Sequence, residues 1–180
     1  LLDESKQATQ VGIPVELSQR PVVRTWTVEQ IMNGPKLIGD RQQGEKVFVS
    51  AGCIHCHRFG TRGNMIGPDL TAAMRRYSRH DLLTSVVNPS DVIAENYRSI
   101  QIVTEDGRVL TGQVTRGGDY RSPILRLATD PARPSESVEV HKSAITARKN
   151  SDTSWMPNGL LDSLTRQQIF DLIAYLESSR

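Results

Sequence analysis

Cys53-Ile54-His55-Cys56-His57 contains both cysteines of the chain, spaced Cys-x-x-Cys, with a histidine directly after the second. Two thiols at that spacing can form thioethers with the two vinyl groups of a haem while the adjacent histidine reaches the iron, which is the c-type attachment signature. Three other chemistries use the same pair. A thioredoxin-like redox centre calls for a βαβ setting, whereas this motif follows a helical stretch and precedes a glycine-rich loop. Zinc needs two further ligands, and His80 and His141 form no second pair at finger spacing. A plain disulfide stays open for a haem-free exported protein, but it leaves His57 without a role. The motif reads as one covalent haem c on Cys53 and Cys56, with His57 as the proximal iron ligand.

An electron-transfer haem wants a second axial ligand, and methionine opposite histidine raises the potential. The four methionines are Met32, Met65, Met74 and Met156. Met65 stands too close to His57 in sequence to reach the opposite side, and Met32 and Met74 fall in helical apolar patterns. Met156 lies in the loop SWMPNGLLDSLT, directly before a capped helix, where a loop ligand can close over the far face of the macrocycle. It is the expected distal ligand; His141, His80 and an open position are the alternatives.

Outward from the motif, residues 1–26 carry no period of 2 or 3.6 and read as an extended arm. Thr27 and Gln30 form a capping box for a short helix that Gly34 and Pro35 stop. A second helix is expected over 40–50, and Ser78 with Asp81 caps a third that runs to Asn88 and Pro89. Partial alternation from Tyr97, with Asp106-Gly107 as a turn, predicts a hairpin, followed by strands at 124–128, 138–141 and 144–148. Thr165 and Gln168 cap a last helix, whose Ile169, Leu172, Ile173 and Leu176 fall at helical spacing. The expected architecture is mainly α: an N-terminal arm and short helix over 1–39, then a helical haem domain over 40–180 with a small antiparallel β insertion at about 97–149.

Composition narrows the class further. The chain has 180 residues, 37% of them hydrophobic and 23% charged, which fits one ordinary domain. Its 22 basic and 20 acidic side chains give neither a polyanion nor a polycation built for nucleic acid. No apolar run approaches the roughly 20 residues of a membrane span. The start, LLDESKQATQ, lacks an initiator methionine and a signal-like pattern, so a mature or excised segment is expected. No Ser/His/Asp arrangement, P-loop or dinucleotide fingerprint is visible.

CIHCH, then GPDL, then MP before a terminal amphipathic helix resembles the order found in class I c-type cytochromes. That resemblance implies that Pro68 sets its carbonyl against the proximal histidine. More closely, CIHCHRFGTRGNMIGPDLT, NPSDVIAENY, EDGRVLTGQV, SWMPNGLLDSLT and DLIAYL resemble the planctomycete-type haem-binding domain, from about Trp26 to the end. The resemblance implies an exported, periplasmic haem c domain beside an oxidative enzyme, such as a sugar dehydrogenase, as redox partner.

Arg75, Arg76, Arg79 and Arg148 are candidates to pair with haem propionates, since guanidinium grips carboxylate with two parallel hydrogen bonds, and Trp155 or Tyr77 could each donate one. The β segment reads either as a cover that shields the haem or as a surface for a partner enzyme or glycan. The cover is favoured because burial tunes potential. Its aromatic residues are only Tyr97 and Tyr120, too few for a sugar-stacking platform. The function expected is outer-sphere electron transfer without substrate chemistry; the alternative is a gas sensor or small-molecule-binding haem protein with a displaceable distal ligand.

Overall fold

Capping residues punctuate the helices where the sequence places them. The computed structural model describes residues 25–115 and 121–178, apart from the side chain of Met74. The arm over 1–24 and Tyr120 lie outside the described residues. Helix α1 (Val28–Met32) opens on the Thr27/Gln30 capping box. Asp40 caps α2 (Arg41–Ser50) by accepting from the Gln43 N–H at 2.9 Å. Helix α3 (Arg79–Val87) opens on the Ser78/Asp81 box, and α4 (Arg166–Glu177) on the Thr165/Gln168 box. Each box satisfies two N–H groups that the first helical turn leaves unpaired.

The helical core forms where α2 crosses α4. Val47 and Phe48 from α2 meet Ile169, Leu172, Ile173, Tyr175 and Leu176 from α4, with Trp26, Ile31, Leu83 and Leu161 closing the cluster. Phe48, Phe59 and Tyr175 stack in tilted pairs, the closest with ring centroids 4.5 Å apart. Gly44 lets the two helices approach, since a Cβ there would sit 1.9 Å from the Asp171 carbonyl oxygen. Backbone cannot yield as a side chain does, so Gly44→Ala must push α2 off α4. A loss of about 3 kcal/mol is expected, the upper end of ordinary overpacking, read as a lower denaturation midpoint.

Two short strands, β1 (Arg58–Phe59) and β2 (Arg62–Gly63), pair antiparallel just after the cysteine motif, where the sequence reads only as loop. The larger sheet holds β3 (Ile100–Thr104), β4 (Val109–Val114), β5 (Ile124–Ala128), β6 (Val138–His141) and β7 (Ile145–Asn150), in the order β6-β5-β4-β3-β7. Every pairing is antiparallel. The β3–β4 connection turns at Asp106-Gly107, with the Gly107 N–H donating to the Thr104 carbonyl at 2.8 Å. The chain then returns after β6 to lay β7 along the other edge of β3.

This sheet corrects the expected mainly α architecture. Of the described residues, 32% are helical and 20% are in strands, and five of the strands make one antiparallel sheet. The sheet is more than a decoration on the helices because it encloses apolar residues of its own. Ile100, Ile102, Leu125, Leu127 and Val140 form a cluster separate from the helical one, with Leu110, Val138 and Ile145 packed against it. The strands are four to six residues long and many of their positions are exposed, so each one taken alone carries little weight in the sequence. Their joint burial appears only once they are paired.

Candidate functional site

Helix α2 delivers the chain to the cysteine motif and stops at Gly52, whose φ of 78° lies in the left-handed region that glycine adopts without penalty. Cys53–His55 then forms a single 3₁₀ turn. The N–H groups of Cys56 and His57 both donate to the Cys53 carbonyl, at 3.2 and 2.9 Å, which gathers the two thiols and the imidazole into one compact turn. Cys53 and Ile54 pack against the helical core. Burial pushes the Cys53 thiol up to about 11 and raises Cys56 as well, so both are held as neutral thiols near neutral pH. They form no disulfide with each other.

The loop after the motif folds back on it. Pro68 places its carbonyl oxygen 2.8 Å from His57 Nδ1. A carbonyl can only accept, so Nδ1 carries the proton and Nε2 is left with a lone pair, the tautomer a metal-ligating histidine needs. Burial lowers the His57 pKa while the Pro68 contact opposes it, and the net effect favours the neutral ring. The Gly67 N–H donates to the Cys56 carbonyl at 2.8 Å, and the Asn64 side chain donates to the His55 carbonyl at 3.0 Å. Gly67 lies flat against the ring: a Cβ there would be 2.7 Å from His57 Cε1. Asp69 anchors the loop by accepting from Thr71 and from Arg58, contacts that hold its carboxyl below the usual carboxylate range.

The structure therefore brings Cys53, Cys56, His57 and Pro68 together. Met156 stands on a different segment, the stretch between β7 and α4, where it is half-buried and its N–H donates to Ser154 Oγ at 3.1 Å. Of the other methionines, Met32 and Met65 are exposed, and Met65 receives a long contact from Arg58 Nη1 at 3.6 Å. Met32 is thus not the core residue that its helical pattern suggests. His80 lies in the first turn of α3 and His141 at the end of β6, both exposed, with His141 Nδ1 2.8 Å from Ser143 Oγ.

Among the propionate candidates, Arg79 is already engaged: it grips Glu177 through two hydrogen bonds of 2.8 and 2.7 Å. Arg76, Arg148 and Tyr77 are exposed. Trp155 differs from all of these. It is buried next to Met156, and its Nε1 has no acceptor among the described residues. A buried N–H without an acceptor costs about 1–3 kcal/mol, so a native fold rarely leaves one unanswered. A haem bearing two carboxylates is a group that would answer it, and together with the paired thiols and the oriented imidazole this makes the residues present fit a haem c.

Sequence reasoning passed over Gly67, Asn64 and Ser154. All three lie in quoted motif stretches, but those stretches assigned them no role. No group of three or more His, Cys, Asp or Glu side chains that could hold a metal ion occurs among the described residues, and no helix there is long and apolar enough to cross a membrane.

In a comparison with protein families, the model described as Cytochrome c matches residues 42–99. The matched stretch takes in α2 from its second residue, the cysteine motif, the Pro68 loop and α3, and it ends before β3 and well before Met156. It accords with a c-type cytochrome domain whose cysteine pair is spaced for covalent haem. No curated protein is similar enough to the chain to count as a match.

Proposed function

We propose that the chain binds one haem c through Cys53 and Cys56, ligates its iron with His57 and Met156, and passes single electrons without transforming a substrate. The observation that carries this reading is the 2.8 Å contact between His57 Nδ1 and the Pro68 carbonyl, beside two thiols on the same turn. Bound there, the haem supplies a one-electron iron couple.

The remaining work falls to the protein. Cys53 and Cys56, on the turn that follows α2, would hold the haem covalently. Pro68 holds the His57 proton on Nδ1 and raises the basicity of Nε2, which favours the ferric state. Gly67 leaves room for that ring. Trp155 Nε1 would donate to a propionate, and Met156 would supply a soft sulfur that favours the ferrous state. Ligands that stay fixed in both oxidation states keep reorganisation small, which suits outer-sphere transfer.

The family match over 42–99 supports the haem-binding half of this reading. The finer reading is that the domain is of the planctomycete type, works in the periplasm or another exported compartment, and exchanges electrons with an oxidative enzyme such as a dehydrogenase. Its support is the run of motifs from the cysteine pair to the Met-Pro loop. Mass spectrometry of chain produced with a haem c maturation system, followed by a potentiometric titration, tests the proposal. One covalent haem and a reversible one-electron wave are expected. Haem that leaves on denaturation, or a haem that exchanges no electrons with mediators, would refute it.

A further inference from the structure

The stretch that leads into Met156 is fastened to two bodies, the sheet at Ser151 and the end of α3 at Ser154. On the sheet side, the Ser151 N–H donates to the Ser99 carbonyl at 2.8 Å, extending the β3–β7 pairing by one step. The Arg98 guanidinium reaches the Ser151 carbonyl at 3.4 Å and the Ile93 carbonyl at 3.3 Å, and pairs with Glu95 at 2.9 Å. It thereby ties the chain entering the sheet to the chain leaving it. On the helical side, the Ser154 N–H donates to Ser90 Oγ at 3.1 Å. Ser90 follows the buried Pro89 at the end of α3, where the Asp91 N–H closes a turn onto the Asn88 carbonyl. The Ser154 hydroxyl then accepts the Met156 N–H at 3.1 Å.

Both tethers lie on the N-terminal side of Met156, so the chain leading into it is held from two packed bodies, and the Ser154 hydroxyl passes that hold on to the Met156 backbone. Thr153 and Ser151 shorten the reach further, the Thr153 N–H donating to Ser151 Oγ at 3.1 Å. The position of Met156 is thus set jointly by the end of α3 and by the neck of the sheet.

We infer that Ser90 and Ser154 are positioning residues for the distal sulfur, tying the Met156 loop to the end of α3. The inference rests on the reading of Met156 as the distal ligand. The Ser90–Ser154 tie then sets how often the sixth position opens. Losing one of these bonds leaves an N–H to be resatisfied and shifts a closed–open equilibrium on the order of tenfold.

The test is stopped-flow mixing of the reduced, haem-loaded chain with carbon monoxide, in which binding waits on departure of the sulfur. Ser90→Ala and Ser154→Ala are each expected to bind on the order of tenfold faster than the parent. In a Met156→Ala background, Ser90→Ala should add nothing, because no sulfur is left to position. Parent-like rates in both serine variants, with Met156→Ala fast, would overturn the inference while leaving the distal-ligand reading intact, even if the melting temperature fell. A Met156→Ala rate equal to the parent's would remove the distal ligand and this inference with it. Should Ser90→Ala fail to load haem, Ser154→Ala carries the test alone.

Discussion

Met156→Ala keeps its covalent haem but opens the sixth coordination position. The thioether bonds come from Cys53 and Cys56, on a turn far from the Met156 segment in sequence, so attachment does not depend on the change. Carbon monoxide binding reports the opening directly. An open minor state populated at about 0.1–10% in the parent becomes the whole population, so binding should speed up by about 10- to 1,000-fold. The ferric spectrum should move from low-spin toward high-spin or water-ligated. Loss of sulfur also removes a preference for ferrous iron, so the midpoint potential should fall. Identical spectra and CO kinetics in parent and variant would show that another group, or none, occupies the distal side.

Gly67→Ala is the second large effect, and it acts on the opposite face. The added Cβ would lie 2.7 Å from His57 Cε1 and 2.9 Å from Nδ1, inside the distance at which something must shift. The ring is held by its own turn and by Pro68, so the strain falls on the Gly67–Pro68 backbone and lengthens the 2.8 Å contact. Two readouts follow. Stability should drop by about 1–3 kcal/mol, the ordinary cost of overpacking. The midpoint potential should rise, because a His57 that donates a weaker hydrogen bond is a poorer electron donor to iron and stabilises the ferric state less. A variant that loses stability at unchanged potential would show that the Pro68 contact does not tune the iron.

Much of the helical half is legible from local chemistry. The capping boxes at Thr27, Ser78 and Thr165 are short-range patterns, and they start α1, α3 and α4 where expected. The cysteine motif declares its chemistry in five residues for the same reason. The balance of the fold was not legible. Ile100, Ile102, Leu125, Leu127 and Val140 come from three strands and form a cluster only through pairing across the sheet, so the mainly α expectation gave the sheet too little weight.

Long-range contacts hid other parts of the site. Ser90 and Ser154 lie 64 positions apart, in two separate stretches whose sequences do not announce their pairing, yet one bond between them fixes the Met156 loop to α3. The glycine-rich loop after His57 signalled a tight turn, but that Gly67 lies against the imidazole depends on how β1 and β2 fold the loop back. Arg79 shows the converse. As a sequence feature it was a propionate candidate, and the structure commits it to Glu177 at the end of α4.

The most direct test of the central claim is the visible spectrum of the dithionite-reduced, haem-loaded chain before and after carbon monoxide. Sharp low-spin c-type bands that stay unchanged on the mixing timescale are predicted, because His57 and Met156 hold both axial positions. Immediate conversion to a carbon monoxide adduct would mean that the distal side is open, and electron transfer through a fully ligated haem would give way to small-molecule binding as the account of this protein.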